Sequence, residues 1–519
     1  MKAPIGSDLK FALATILTLT ICGCSGGVAP DPVTPPVTPP TQAEQSDIAI
    51  GTPTPGVTPF IASVQLSGKS TSQLTLLSYT IAPKPQTVSA ALKVTWTLTA
   101  LSNRGYVKSP VINLPVAGLY QNHANSVSYV LTFSDGSKQN LKNTITTTAF
   151  IDPTGLYLTP VILKARAAGS KLGYSFMYLK SGVASPVIVD TDAQVRWMTT
   201  GVTLVQAQYF ENGEFVTGDL ENPLVYRIQL DGKQTTLPAK LPQPLLYSFT
   251  HNIDPGPNGL LAEFNGTDDL GASSDDIVAE ISPLTTDAPD QTYDMADIIA
   301  NYMTKNGDDA SAFVRPGVDW FHLNAVTYDP SDQSLIISSR ENFLIKVDYT
   351  THEIVWIFGD PTKYWYTFPS LRAKALTLVG GGLYPMGQHA TSITSDGYLM
   401  IFNDDFGSLN QPAGQPAGVS LNYSAVTAYS IDASAMTANV AWNFDYGQTV
   451  LSQVCGSSYE AGKSYLVTYS TAYGWTQTRL VGLDSSRNAV FDFQYESPQT
   501  CGTAWNAIPV PFEDLQITK

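Results

Sequence analysis

Short runs in which apolar and polar residues alternate, each closed by Asp, Gly, Asn or Ser, recur along most of the chain. A period of two marks strands with one buried face. In the first third the clearest are Leu92-Lys93-Val94-Thr95-Trp96-Thr97-Leu98 and Ser126-Val127-Ser128-Tyr129-Val130-Leu131-Thr132-Phe133. The second runs into Ser134-Asp135-Gly136-Ser137, a hairpin signal. These runs predict a small, Ig-like β-sandwich over residues 46–155.

From about residue 160 a different rhythm begins: a strand ends in Asp, a turn follows, and the next strand ends in Val-x-Trp or a variant. Asp190 leads to Val195-Arg196-Trp197, Asp348 to Ile354-Val355-Trp356, Asp432 to Val440-Ala441-Trp442, and Asp484 to Ala489-Val490-Phe491. Such units read as the outer hairpins of successive propeller blades, each wedging an aromatic against its neighbour. Six blades over 156–519 fit better than seven or eight, at about 61 residues per blade against ~40–45 in short-repeat propellers. Insertions take up the surplus, including a helix predicted over 293–305 and a Pro/Gly-rich stretch over 411–418.

Three of the five histidines open similar phrases: Thr250-His251-Asn252, Phe321-His322-Leu323-Asn324 and Gln388-His389-Ala390. Each precedes a β-rich run, which places them on the innermost strands and points their imidazoles at one centre. His123 reads as a solvated loop residue and His352 as a surface turn residue of an outer hairpin. The acid pairs Asp268-Asp269, Asp275-Asp276 and Asp404-Asp405 lack a calcium-loop pattern and read as solvated loop acids.

Apolar residues make up 43% of the 519 and charged ones only 14%, so a large core is affordable. The balance of 28 basic against 44 acidic residues gives −16, which argues against a nucleic-acid partner. Residues 1–24 read as a lipoprotein-type signal peptide: Lys2 and Lys10 precede an apolar stretch over 11–21. Gly23 stands before Cys24, the expected lipidated residue, ahead of Cys22, which follows bulky Ile21; an ordinary secretory signal is the alternative. Residues 25–45, Pro/Thr-rich over 28–41, read as an extended tether. Ser25 after Cys24 favours the outer membrane, so the expected location is the periplasm, lipid-anchored. In that compartment Cys455 and Cys501 are expected to form a disulfide, adding about 4 kcal/mol in the chain-entropy model. Free thiols or a metal pair are the alternatives.

The phrase Asp319-Trp320-Phe321-His322-Leu323-Asn324, followed by Tyr328-Asp329-Pro330 and then Ser338-Ser339-Arg340, closely resembles the signature of bacterial arylsulfate sulfotransferases. The segments around His251, around His389 and over 111–120 are similar too, so the resemblance covers roughly residue 46 onward. It implies a six-bladed propeller behind a small β-sandwich. It also implies transfer of a sulfuryl group from a phenolic sulfate ester to an acceptor phenol by a ping-pong route. His389 matches the residue that is transiently sulfated in that family, with His251, His322 and Arg340 as the other catalytic residues and Asn324 as a substrate-binding one. A neutral imidazole is a competent nucleophile, and Arg340 and Asn324 offer donors to an anion with three oxygens. His251 and His322 can hold those oxygens, protonate the leaving phenolate and deprotonate the acceptor. The cluster would also supply a positive spot in an acidic chain.

One departure concerns cysteine: a member of that family carries a close cysteine pair before its nucleophile, and nothing between 363 and 389 here is cysteine. No cofactor and no metal are expected, and the partners are phenolic sulfate esters and phenols, the membrane through Cys24, and a homodimer as an allowed assembly. A non-catalytic propeller descended from the enzyme is the alternative; a metal-dependent hydrolase lacks the expected ligand spacing.

Overall fold

The computed structural model describes residues 47–200, 207–221, 224–238, 246–268, 271–282 and 291–519. The expected signal peptide, Cys24 and the tether lie outside the described residues, as does Asp269. Residues 46–519 form one compact unit. Among the described residues no helix is long and apolar enough to cross a membrane. The molecule is all-β: among the described residues eight sheets carry the chain, joined by a few short helices.

Two sheets gather the first residues. One holds Ile61–Ser67 against Val111–Ala117, flanked by three two-residue strands. The other runs Leu92–Thr97, Leu74–Ile81, Ala124–Phe133 and Lys138–Thr146, and a late strand, Leu515–Ile517, joins it parallel to Leu92–Thr97. The residues at 515–517 therefore pair into the sheet that the alternation placed at 46–155.

Six further sheets of four or five strands follow. Their first strands are Gln208–Glu211, Leu246–Pro255, Leu323–Asp329, Gln388–Ile393, Ser457–Ala461 and Ala507–Val510, and each contacts the next in that order. Ala507–Val510 pairs with Phe176–Leu179, so the sheet begun near residue 176 takes its first strand from the far end of the chain.

The Asp-turn-aromatic units are hairpins held by the same device. The carboxylates of Asp190, Asp348, Asp432 and Asp484 each accept two backbone N–H groups from the turn that follows. An acid there closes the turn locally, which explains why it recurs. The aromatics then pack between sheets. Trp197 stacks on Phe215 at 4.4 Å, Trp442 meets Tyr465 at 4.9 Å, and Trp356 is buried with Leu399, Ile401 and Tyr429.

The predicted helix is Met295–Lys305; it starts late because 293–294 end the strand Gln291–Asp294, and Asp294 caps it by accepting from the N–H groups of Ala296 and Asp297. His352 sits in its turn at φ 60°, partly exposed and lying against Tyr293 at 4.5 Å. His123 is likewise partly exposed, edge-on to Tyr120.

Candidate active site

His251 and His389 stand on first strands and His322 immediately before one, and each of these strands is broken close to its histidine. The register with the second strand slips between Phe249 and Ile253, between Leu323 and Ala325, and between His389 and Ser392. His322 itself lies at φ 51° and Ala390 at φ 47°. A bulge re-aims a side chain that regular alternation would point elsewhere.

The rings of His251 and His322 meet edge to face at 4.8 Å. Trp505 lies 5.0 Å from His251 and 6.3 Å from His389, forming an aromatic wall between them. Asp404 joins the rest: its Oδ2 is 3.0 Å from His389 Nδ1 and 3.7 Å from Arg340 Nε. Asn324 donates through Nδ2 to the carbonyl of Gln388 at 2.9 Å, tying its strand to the one that bears His389. His251, His322, Asn324, Arg340 and His389 thus come together from segments 138 residues apart in the chain (389 − 251).

His389 is held at both ring nitrogens. Nδ1 faces Asp404 and the carbonyl of Gly387, the latter at 3.2 Å, and Nε2 accepts the backbone N–H of Cys455 at 3.3 Å. Cys455 is bonded to Cys501, as expected from the sequence, and that disulfide packs against Trp505. The bridge therefore braces both the nucleophile candidate and its aromatic neighbour, from a different part of the chain than the close pair of the resembling family.

The charges differ from expectation in one respect. Arg340 is buried, donates from Nη1 to Glu341 at 2.9 Å and from Nη2 to the carbonyl of Gln453, and has Asp404 beside Nε. With two carboxylates on one guanidinium, the cluster is not the net positive spot the sequence suggested. Arg340 keeps spare N–H donors, since the fork carries five. His251 has its basicity pushed well down by burial, then by His322 and His389, so it is neutral at pH 7. His322 differs: its Nδ1 lies 2.6 Å from Asp319 Oδ2, a carboxylate placed to stabilise a charged ring.

Several site residues were not singled out in the sequence. Asp404 and Asp405, read there as solvated loop acids, are both fully buried, and Asp276 is buried as well, bonded by the Trp320 indole. Glu263 Oε2 lies 3.9 Å from His251 Nδ1. Lys180, also fully buried, donates to Asn252, and burial brings its amine down to about 8 against the pull of Asp254 and Glu263. The missed signal is positional: Lys180, Arg340 and Asp404 are each the first residue after the second strand of their sheets, Phe176–Leu179, Ser334–Ser339 and Leu399–Asn403. Among the described residues no group of three or more His, Cys, Asp or Glu is placed to hold a metal ion.

Comparison with known proteins gives a family. The model for arylsulfotransferases (ASST) matches residues 164–505, a span that includes every site residue above. An arylsulfate sulfotransferase of Escherichia coli O6:H1 is 30% identical over 146 residues, 25% of this chain and 24% of that protein. One of Lelliottia amnigena is 27% identical over 143 residues, 24% of this chain and 23% of that protein. The chain therefore aligns with about a quarter of the length of these curated relatives. Among solved structures, the β-propeller domain of Cps50 (Swd1) from Myceliophteria thermophila overlaps 64% of this chain and 89% of its own, at 11% identity and TM-score 0.32. BamB from Moraxella catarrhalis overlaps 72% and 92%, at 9% identity and TM-score 0.27. At those scores the overlays carry no argument, and the sheet arrangement rests on this chain's own strand pairings.

Proposed function

The chain belongs to the arylsulfotransferase family, and from that premise we propose that it is an arylsulfate sulfotransferase working through a sulfated His389. The observation that carries this reading is the gathering of three imidazoles and Arg340 beside an aromatic wall. An arylsulfate donor would lay its ring against Trp505 and its sulfuryl oxygens toward Arg340, His322 and the remaining N–H of Asn324.

The first half-reaction balances as follows. The Nε2 lone pair of His389 forms an N–S bond as the S–O(aryl) bond breaks, and the aryl oxide departs with that electron pair. His322, paired with Asp319, gives the departing oxygen a proton; neutral His251 donates a hydrogen bond without changing charge. In the second half an acceptor phenol returns a proton to His322 while its oxygen attacks sulfur, and the N–S pair goes back to Nε2. Because the sulfuryl group rests on the protein between halves, donor and acceptor can use one aryl site in turn, which is the economy of a ping-pong route.

At the larger scale, the six consecutive sheets are proposed as blades of a six-bladed propeller and the two remaining sheets as a β-sandwich beside it. A periplasmic location with a lipid anchor at Cys24 is proposed from the sequence around Gly23-Cys24 alone.

Purified protein given 4-nitrophenyl sulfate tests the activity. The expected result is nitrophenol release that depends on added phenol and is indifferent to a chelator. No release with several aryl sulfates, with or without phenol, would leave a binding protein; loss of release on chelation would indicate a metal-dependent hydrolase.

A further inference from the structure

We infer that Asp404 is the positioning residue for the nucleophile: it holds the Nδ1 side of His389, so that Nε2 carries the lone pair that attacks sulfur once the Cys455 N–H gives way, and it balances the ring once sulfated. This rests on the assignment of His389 as nucleophile.

The tautomer follows from the partners. A backbone N–H can only donate, so the Cys455 N–H contact at 3.3 Å makes Nε2 the acceptor and leaves the proton of a neutral ring on Nδ1. Nδ1 hydrogen-bonds to the Gly387 carbonyl at 3.2 Å, and Asp404 Oδ2 lies 3.0 Å from the same nitrogen as the ion-pair partner. When the Nε2 pair forms the N–S bond and the aryl oxide leaves with the S–O pair, Nδ1 keeps its proton and the ring becomes cationic. Asp404 is fully buried, so its charge reaches that ring with little screening from water.

The acids with a purely structural task look different here. Asp348 and Asp432 accept the N–H groups of their own turns, whereas among the described residues no backbone N–H and no hydroxyl donates to either oxygen of Asp404. Its partners are His389 and, at 3.7 Å, Arg340 Nε. One carboxylate thus lies between the nucleophile and the guanidinium proposed to hold the sulfuryl oxygens.

The test uses the full chain, 4-nitrophenyl sulfate, and rapid quenching to follow both the nitrophenol burst and the sulfuryl label on His389. For Asp404→Asn the burst rate constant is expected to fall by about 10²–10⁴, as when a nucleophile's histidine loses its orienting acid. The half-saturating donor concentration should stay within about threefold, because the loss falls on the chemical step. In Asp404→Ala, added formate should restore part of the burst by supplying a carboxylate to the cavity, and should do nothing for His389→Ala. An unslowed Asp404→Asn labelled on His389, a defect confined to donor saturation, or an Asp404→Ala indifferent to formate overturns the role of Asp404 alone. A burst in the unchanged protein whose label is not on His389 overturns the nucleophile assignment, and the role of Asp404 with it.

Discussion

Asp404 and Asp405 are adjacent and fully buried, yet their surroundings differ in the cations they supply. Burial raises Asp404, with His389 and Arg340 pulling the other way. Asp405 has neither neighbour: its oxygens have no hydrogen-bond partner among the described residues, and burial, then Asp404 and Asp445, push it up to about 8. The sign follows. Between the unfolded carboxyl value near 4 and the folded value, the native state holds a proton that the unfolded chain has released. Stability therefore falls as pH rises through that window, by at most about 1.4 kcal/mol per pH unit. Asp405→Asn removes the titration, so its advantage over the unchanged protein should grow from pH 5 to pH 8 in denaturant midpoints. An equal difference at both pH values would contradict this account. At this scale the sequence was legible where residues recurred: His251, His322 and His389 stand at matching points of repeated phrases, and Arg340 ends a distinctive one. Asp404 was opaque because an acid pair after an apolar strand resembles any solvated loop. Only the strand ends, known once the sheets are drawn, show that it shares its position with Arg340 and Lys180.

The elements were legible where local chemistry sets them. An acid that closes its own turn, followed by a strand with an aromatic, Trp or Phe, can be read directly, and the hairpins at Asp190, Asp348, Asp432 and Asp484 follow that pattern. Bulges were not legible, because a slipped register leaves the alternation of types almost unchanged while turning one side chain around. Those slips at His251 and His389, and just after His322, stand where the proposed chemistry needs the imidazoles. Helix Met295–Lys305 shows the same contrast: its apolar face, Met295, Ile299 and Met303, was readable, but its start was set by Asp294, which serves a strand and the cap together. Removing that cap in Asp294→Ala should cost about 0.5–2 kcal/mol. Chemical denaturation measures it, and a midpoint equal to that of the unchanged protein would show that packing alone holds the helix.

For the whole molecule, a succession of hairpins could be expected from the repeats, but the pairings between distant segments could not. Ala507–Val510 completes the sheet begun at Phe176–Leu179, and Leu515–Ile517 pairs beside Leu92–Thr97; pairings across several hundred residues leave no periodic trace. The same long-range order lets Cys455, bonded to Cys501, present its N–H to His389. The central claim is that this assembled site carries a sulfuryl group on one histidine between two half-reactions. It is tested most directly by mixing the protein with an aryl sulfate donor and no acceptor, then locating the label by peptide mass. The account predicts one sulfuryl group per chain, on His389, lost on adding phenol and absent from His389→Asn. A chain that turns over donor and acceptor together but carries no label on His389 would contradict it, and would point to direct transfer between two bound aryl groups.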